Sequence, residues 1–199
     1  MELKGSQTLV NLMRAFAGES QARNRYAFAQ QQMSAQKQFV LADLFRFTAD
    51  QEKEHAEIFF EHLKSSGADN VEIQAGYPVD KDCCDVVCIL ESAANNELAE
   101  SSEVYPSFAR TAREEGFSQI AQDFENIAGI ENVHAKRFER FARLEKEGQL
   151  YSSDESTKWV CTNCGYIFEG TQVPRNCPVC HGEQGYYIRL DMADWGLYR

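Results

Sequence analysis

The chain has 199 residues, 43% hydrophobic and 26% charged, a composition that fits one ordinary domain with a small appendage and excludes an intrinsically disordered chain. With 31 acids against 20 bases, the net charge of −11 repels phosphate and argues against a nucleic-acid or anionic-membrane partner. The N-terminus Met1-Glu2-Leu3-Lys4-Gly5-Ser6 lacks a continuous apolar run, and no window approaches about 18 uninterrupted apolar residues, so a soluble cytoplasmic protein is expected.

Residues 6 to 147 are almost free of proline, rich in Ala, Glu, Gln, Phe and Leu, and interrupted at Gly67, Gly76 and Gly116. This pattern predicts four long helices over 6–35, 38–65, 83–114 and 117–147, with 67–82 as the one long connection. Short, long and short loops imply two antiparallel helix pairs. Pro106 falls inside the third helix, where it removes a backbone donor and predicts a kink or a break. Cys83, Cys84 and Cys88 stand at the start of that helix. They are expected to be small buried apolar residues, with a reactive thiol as the other reading. The polar run 148–157 reads as a linker, and 158–199 holds four cysteines with too little apolar content to fold without a metal. An odd total of seven cysteines favours metal ligands or redox thiols over structural disulfides.

The helical region repeats itself. Phe45, Ala49, Glu52, His55, Ala56 and Phe59 recur 79 residues later as Phe124, Ala128, Glu131, His134, Ala135 and Phe138. Glu19 precedes the first Glu-x-x-His by 33 residues and Glu97 precedes the second by 34. At about 100° per residue, Glu52 and His55 lie on the same stripe as Phe45, Ala49 and Phe59, which is the core face. Asp50, Glu54, Glu57 and Glu61 fall on the opposite face, where solvated acids belong.

Four glutamates in one apolar core would cost many kcal/mol unless they shared cations. One Glu from each of two helices and one Glu-x-x-His from each of the other two is a ligand set for a paired metal site inside a four-helix bundle. Oxygen donors with two imidazoles suit iron or manganese better than zinc. Glu100 follows Glu97 by three residues, on the same face, where the first half has Ala22; it is either a seventh ligand or an ordinary acidic residue. Tyr26 and Tyr105 fall on the stripe too, as core aromatics or as hydroxyl partners of the carboxylates.

Cys161-Thr162-Asn163-Cys164 and Cys177-Pro178-Val179-Cys180 are two knuckles of a tetrathiolate site, open by spacing alone to zinc or iron. Trp159, Tyr166, Phe168, Tyr186 and Tyr187 are candidates for a small aromatic core around it.

With Glu19-Ser20-Gln21-Ala22-Arg23-Asn24-Arg25-Tyr26, both Glu-x-x-His-Ala motifs and the terminal four-cysteine module, the chain closely resembles the rubrerythrins over nearly its whole length. The resemblance implies an all-α ferritin-like four-helix bundle with a non-haem diiron site over 1–147. It further implies a linker over 148–157 and a small rubredoxin-like domain, with one iron on Cys161, Cys164, Cys177 and Cys180, over 158–199. The implied activity is reduction of hydrogen peroxide to water in oxidative-stress defence. Electrons would come from an external reductase or rubredoxin through the four-cysteine iron. By the same resemblance Glu52 and Glu131 bridge the irons, Glu19 and Glu97 are terminal ligands, and His134 binds the second iron. Glu100 and His55 are alternative ligands of the first. A head-to-tail homodimer is implied, and Phe47 and Ile58, on a second face of their helix, are compatible with an oligomer contact. Cys180-His181 departs from the family's Cys-x-His, and Leu98 to Val104 lacks the aromatics common there, which implies a more open or more polar pocket. The competing reading is a ferritin-like ferrous-iron oxidase with a structural four-cysteine metal.

Overall fold

A computed structural model describes residues 2–79, 83 and 85–193. Helices α1 (Gln7–Ala35) and α2 (Phe39–Ser65) pack together as one pair. Helix α3 (Val86–Ala99), a widened π turn (Glu100–Val104) and helix α4 (Tyr105–Glu114) run on from one another and pack against α5 (Ser118–Lys146). The ends are held by local chemistry. The Ser6 hydroxyl accepts the Leu9 N–H at 3.1 Å and opens α1. Between α4 and α5, Gly116 takes φ +89° while the Phe117 N–H reaches back to the Ala112 carbonyl at 2.7 Å, a left-handed helix end that glycine adopts without strain.

The third helix differs from its predicted span in two ways. It begins at Val86 because the Asp85 carboxylate accepts the Cys88 N–H at 2.9 Å and caps it there. Cys83 therefore lies outside the helix and curls back over the cap. Its Cα stands 5.3 Å from that of Cys88, and the two form a disulfide, where buried free cysteines were expected. Spacing along a helix missed this pairing because the chain is not helical at Cys83; Cys84 lies outside the described residues.

The second difference lies just before Pro106. The Tyr105 N–H donates to the Glu100 carbonyl, five residues back, so one extra residue is taken up in a widened turn. Pro106 then stands in the first turn of α4, where its missing N–H does least harm. The turn also resolves a mismatch in the repeat. Glu19 and Tyr26 are seven residues apart and Glu97 and Tyr105 eight; a regular helix would swing the second pair apart by about 100°. The inserted residue restores the phase, and Glu97 and Tyr105 are both buried.

Two aromatic clusters close the core. Tyr26, Phe45 and Phe138 pack with ring centroids 5.0–5.8 Å apart. Their repeat counterparts Tyr105, Phe124 and Phe59 pack at 5.0–6.0 Å.

The C-terminal module is a three-stranded antiparallel sheet of order β2-β1-β3, from β1 (Ser152–Cys161), β2 (Ile167–Gln172) and β3 (Tyr187–Arg189). Strand β1 starts inside the polar segment read as linker: Ser152 pairs with Gln172 and Thr157 with Gly170, with a register shift between them. Composition did not reveal this because strand pairing uses backbone groups and leaves the polar side chains largely in water. Trp159, Val173 and Tyr187, with Tyr166, Phe168 and Tyr186 against them, form the small core expected there. The module rests on the α1–α2 turn. Phe39 and Tyr186 stack at 4.0 Å, and Lys37 pairs with Glu183 at 2.6 Å. Gly185 approaches so closely that a Cβ would fall 1.8 Å from the Lys37 carbonyl oxygen. Among the described residues no helix is long and apolar enough to cross a membrane.

Candidate metal centre

The four long helices carry their predicted carboxylates inward. Glu19 on α1, Glu52 on α2, and Glu131 and His134 on α5 are 0% exposed, Glu97 on α3 is 1% and His55 on α2 is 5%. They form two four-residue groups, Glu19, Glu52, His55 and Glu131 in one and Glu52, Glu97, Glu131 and His134 in the other, with the donor atoms of each group within 4.8 Å of one another. Glu52 and Glu131 belong to both. The geometry is nearly two-fold. His55 Nδ1 lies 2.8 Å from Glu131 Oε1 and 3.1 Å from Glu52 Oε2; His134 Nδ1 lies 2.8 Å from Glu131 Oε2 and 3.1 Å from Glu52 Oε1.

Several of these atoms are close without being hydrogen-bonded. Glu19 Oε2, Glu52 Oε1, Glu97 Oε2, both Glu131 oxygens and His134 Nδ1 are buried with no hydrogen-bond partner. Buried polar atoms are rarely left so. Here they converge on shared points instead of facing one another, as ligands of a cation do.

The electrostatics agree. Burial pulls both imidazoles down, but the surrounding carboxylates, Glu131 and Glu52 foremost, lift His55 to about 9 and His134 to about 11. Burial opposes ionisation of Glu131, yet the two histidines hold it down at about 2. Glu19 and Glu97 are driven well above the ordinary carboxyl range, by burial first and then by the charge of Glu131 and Glu52. Without a cation, the layer holds protons where positive charge is needed.

Tyr26 and Tyr105 find the partners that burial requires, and they do so crosswise: the Tyr26 hydroxyl donates to Glu97 Oε1 and the Tyr105 hydroxyl to Glu19 Oε1. Each tyrosine fixes the outer glutamate of the other half. Glu100 stands apart from both groups. Its carboxyl lines a cavity of about 330 Å³ with Arg14, Tyr77, Asn96 and Tyr105, and burial, then Glu131 and Glu52, push it up to about 8. The Tyr77 hydroxyl pins the wall of this cavity to the Arg14 carbonyl at 2.9 Å.

Two further residues enter that motif spacing did not indicate. Gln51 Oε1 lies 3.1 Å from His134 Nε2, and Arg137 donates to the same oxygen at 3.2 Å.

In the C-terminal module Cys161, Cys164, Cys177 and Cys180 form the third donor group. Sγ separations of 3.8 Å for Cys161–Cys180 and 3.7 Å for Cys164–Cys177 match the edge of a tetrahedron with metal–sulfur bonds of about 2.3 Å. Both knuckles close alike. The Gly165 and His181 N–H groups return to the Cys161 and Cys177 carbonyls at 2.8 and 2.9 Å, and both residues have positive φ, +79° and +60°.

The two halves match known families separately. The rubrerythrin family model covers residues 11–142, and the rubredoxin-like domain of rubrerythrin covers 159–187. Rubrerythrin from Nitratidesulfovibrio vulgaris is 46% identical over 188 residues, spanning 94% of this chain and 96% of that protein. The fully reduced, all-ferrous state of nigerythrin superposes with a TM-score of 0.63 at 27% identity, over 94% of this chain and 91% of its own. Desulfovibrio desulfuricans bacterioferritin, described with its diiron site in different catalytic states, gives a TM-score of 0.64 at 26% identity over 72% and 82%. The helical half is thus a ferritin-like bundle with a diiron site on Glu and His ligands, and the terminal module is a rubredoxin-like four-cysteine centre. Sequence and fold agree along almost the whole chain: this protein belongs to the rubrerythrin family.

Proposed function

We propose that the protein reduces hydrogen peroxide to water at the paired site, with electrons delivered through the four-cysteine iron. The observation that carries this reading is the conjunction, in one chain, of two four-donor groups sharing Glu52 and Glu131 and a tetrathiolate module able to hold a one-electron centre. In this reading Glu52 and Glu131, common to both donor groups, would be shared by the two metals, Glu19 and Glu97 would each hold one, and His134 would hold the second. His55 and Glu100 would be alternative ligands of the first; His55 belongs to its donor group, and Glu100 lines the neighbouring cavity. When bound, the metal pair supplies the two electrons that peroxide reduction consumes.

The chain supplies the rest. Glu100, whose carboxyl is pushed up to about 8 chiefly by burial, lines the cavity beside the layer and would serve as its proton donor. Tyr26 and Tyr105 keep Glu97 and Glu19 in place, and the aromatic clusters on either side exclude water. Hydrogen peroxide, an external reductase or rubredoxin, and a second copy of the chain arranged head to tail are the partners in this reading. Phe47 and Ile58, 52% and 41% exposed on α2, are available to such a contact.

The test is to reduce the iron-loaded protein anaerobically and add one equivalent of peroxide. Oxidation of both iron centres within the mixing period, followed by turnover with a reductase, is the expected result; a reduced protein left unoxidised would refute the reading. The likeness to bacterioferritin favours one rival, a ferrous-iron oxidase with a structural four-cysteine metal. It requires shell assembly and mineral uptake, and a dimer by sedimentation counts against it.

A further inference from the structure

Both Glu-x-x-His motifs present an Nδ1 to the shared carboxylates at matching distances, but the far sides of the two rings differ. Arg137 is a donor only, so the Gln51 atom that it meets at 3.2 Å is the amide oxygen. The same oxygen lies 3.1 Å from His134 Nε2; that nitrogen must carry a proton, so Nδ1, which faces the carboxylate layer, is the nitrogen that gives up its own proton to bind a metal. Among the described residues His55 Nε2 has no hydrogen-bond partner. The repeat explains why. Shifted by 79 residues, Gln51 corresponds to Ile130 and Arg137 to Ile58. Neither isoleucine can accept or donate a hydrogen bond, and both are partly exposed, at 38% and 41%.

We infer that Gln51, backed by Arg137, is a positioning residue that locks His134 in one tautomer and orientation, and that Ile130 and Ile58 leave His55 free to leave its metal. Partners behind a metal-bound histidine fix its tautomer and raise its affinity, commonly by about 10- to 100-fold. The inference deepens the peroxidase reading, in which His55 and not His134 exchanges with Glu100, and assigns that difference to two positions where the repeat breaks. Arg137 continues outward, its guanidinium 5.2 Å from the centroid of Phe47, so the lock is itself held by packing on the α2 surface.

Zinc-loaded protein provides a readout independent of peroxide. In ¹⁵N-histidine spectra, the wild type should show a slowly exchanging Nε2–H at His134, assigned apart from that of His62, whose Nε2 lies 2.8 Å from Asp123 Oδ2. Gln51→Leu should abolish it and weaken zinc at one of the two bundle sites by about 10-fold or more, with helix content unchanged. Gln51→Glu, which keeps an acceptor oxygen, should restore the protected proton. The transplant Ile130→Gln with Ile58→Arg should create a further protected Nε2–H, at His55, and in the iron protein should suppress the redox-linked spectral change at the first site. A folded Gln51→Leu protein with unaltered proton exchange and zinc affinity would overturn the inference, and should the transplant not fold, that single variant still decides. A wild type with the protected proton but no peroxide turnover would instead sink the peroxidase reading and leave the lock standing.

Discussion

The two helix pairs share one ligand grammar and end in different surroundings. Glu19, Glu52 and His55 in the first repeat as Glu97, Glu131 and His134 in the second, and the structure superposes their distances almost atom for atom. The differences lie one layer out. The second half has a widened turn carrying Glu100, where the first has an unbroken helix and Ala22. The second histidine is backed by Gln51 and Arg137 from both sides of the α2–α5 interface, and the first is not. A duplicated motif therefore places the donor atoms, and the residues standing behind them differ between the halves.

The largest effect that would break this comparison is loss of a shared residue. Glu131→Ala removes a donor from both groups and should leave less than one metal in the bundle, whereas Glu97→Ala should cost only one; metal analysis of the purified variants separates the two outcomes. Next, Glu100→Ala should keep the fold and the metals but slow peroxide turnover by about 100-fold, the scale of a lost general acid. Unchanged turnover would return Glu100 to the reading as an ordinary acidic residue.

The pH dependence sharpens the comparison at the level of the whole layer. His55 and His134 are raised to about 9 and 11, so their contribution to stability is complete below the ordinary imidazole value of 6.5 and is lost as pH rises through those values. Glu100, raised to about 8, keeps a proton that the unfolded chain releases above 4.5, which acts in the same direction. Glu131, lowered to about 2, works oppositely, but only below 4.5. Melting temperature of the metal-free protein should accordingly fall from pH 4.5 to about 9, and that of the zinc-loaded protein should rise, because metal replaces those protons. Parallel curves would contradict the assignment of the layer as a metal site.

Smaller effects follow. Tyr26→Phe and Tyr105→Phe each remove one buried donor from an outer carboxylate and should each cost the zinc-loaded protein about 1–3 kcal/mol by thermal unfolding; a marked inequality would show that the crosswise pairing is not symmetric. The two knuckles pose the same question in miniature. His181 holds φ +60° where its counterpart is Gly165, so His181→Gly should stabilise the module by about 1 kcal/mol.

Much of the site was legible because its signals are periodic. Glu52 and His55 three residues apart, on the stripe of Phe45 and Phe59, must share a buried face if the segment is helical, and a second copy makes coincidence improbable. The four cysteines were legible because a knuckle is a local turn. Cys83 and Cys88 were misread because their pairing depends on where Asp85 ends the coil and starts the helix. The start of β1 at Ser152 was missed because a polar segment can form a strand when a neighbour offers backbone partners. Gln51 was passed over because it lies off the metal stripe of its own helix and acts on a histidine of another.

By itself, then, the sequence determined a helical bundle followed by a tetrathiolate module, with both Glu-x-x-His motifs facing inward, since each rests on the local pattern of one chain segment and on the cost of burying charge without a cation. Only the tertiary structure decided that Tyr26 and Tyr105 cross over to the opposite half, that the widened turn brings Glu97 and Tyr105 into phase, and that Gln51 and Arg137 stand behind His134. Those outcomes depend on which side chains of different helices come within about 3 Å of one another, a distance set by packing between helices and not by the order of residues along any one of them.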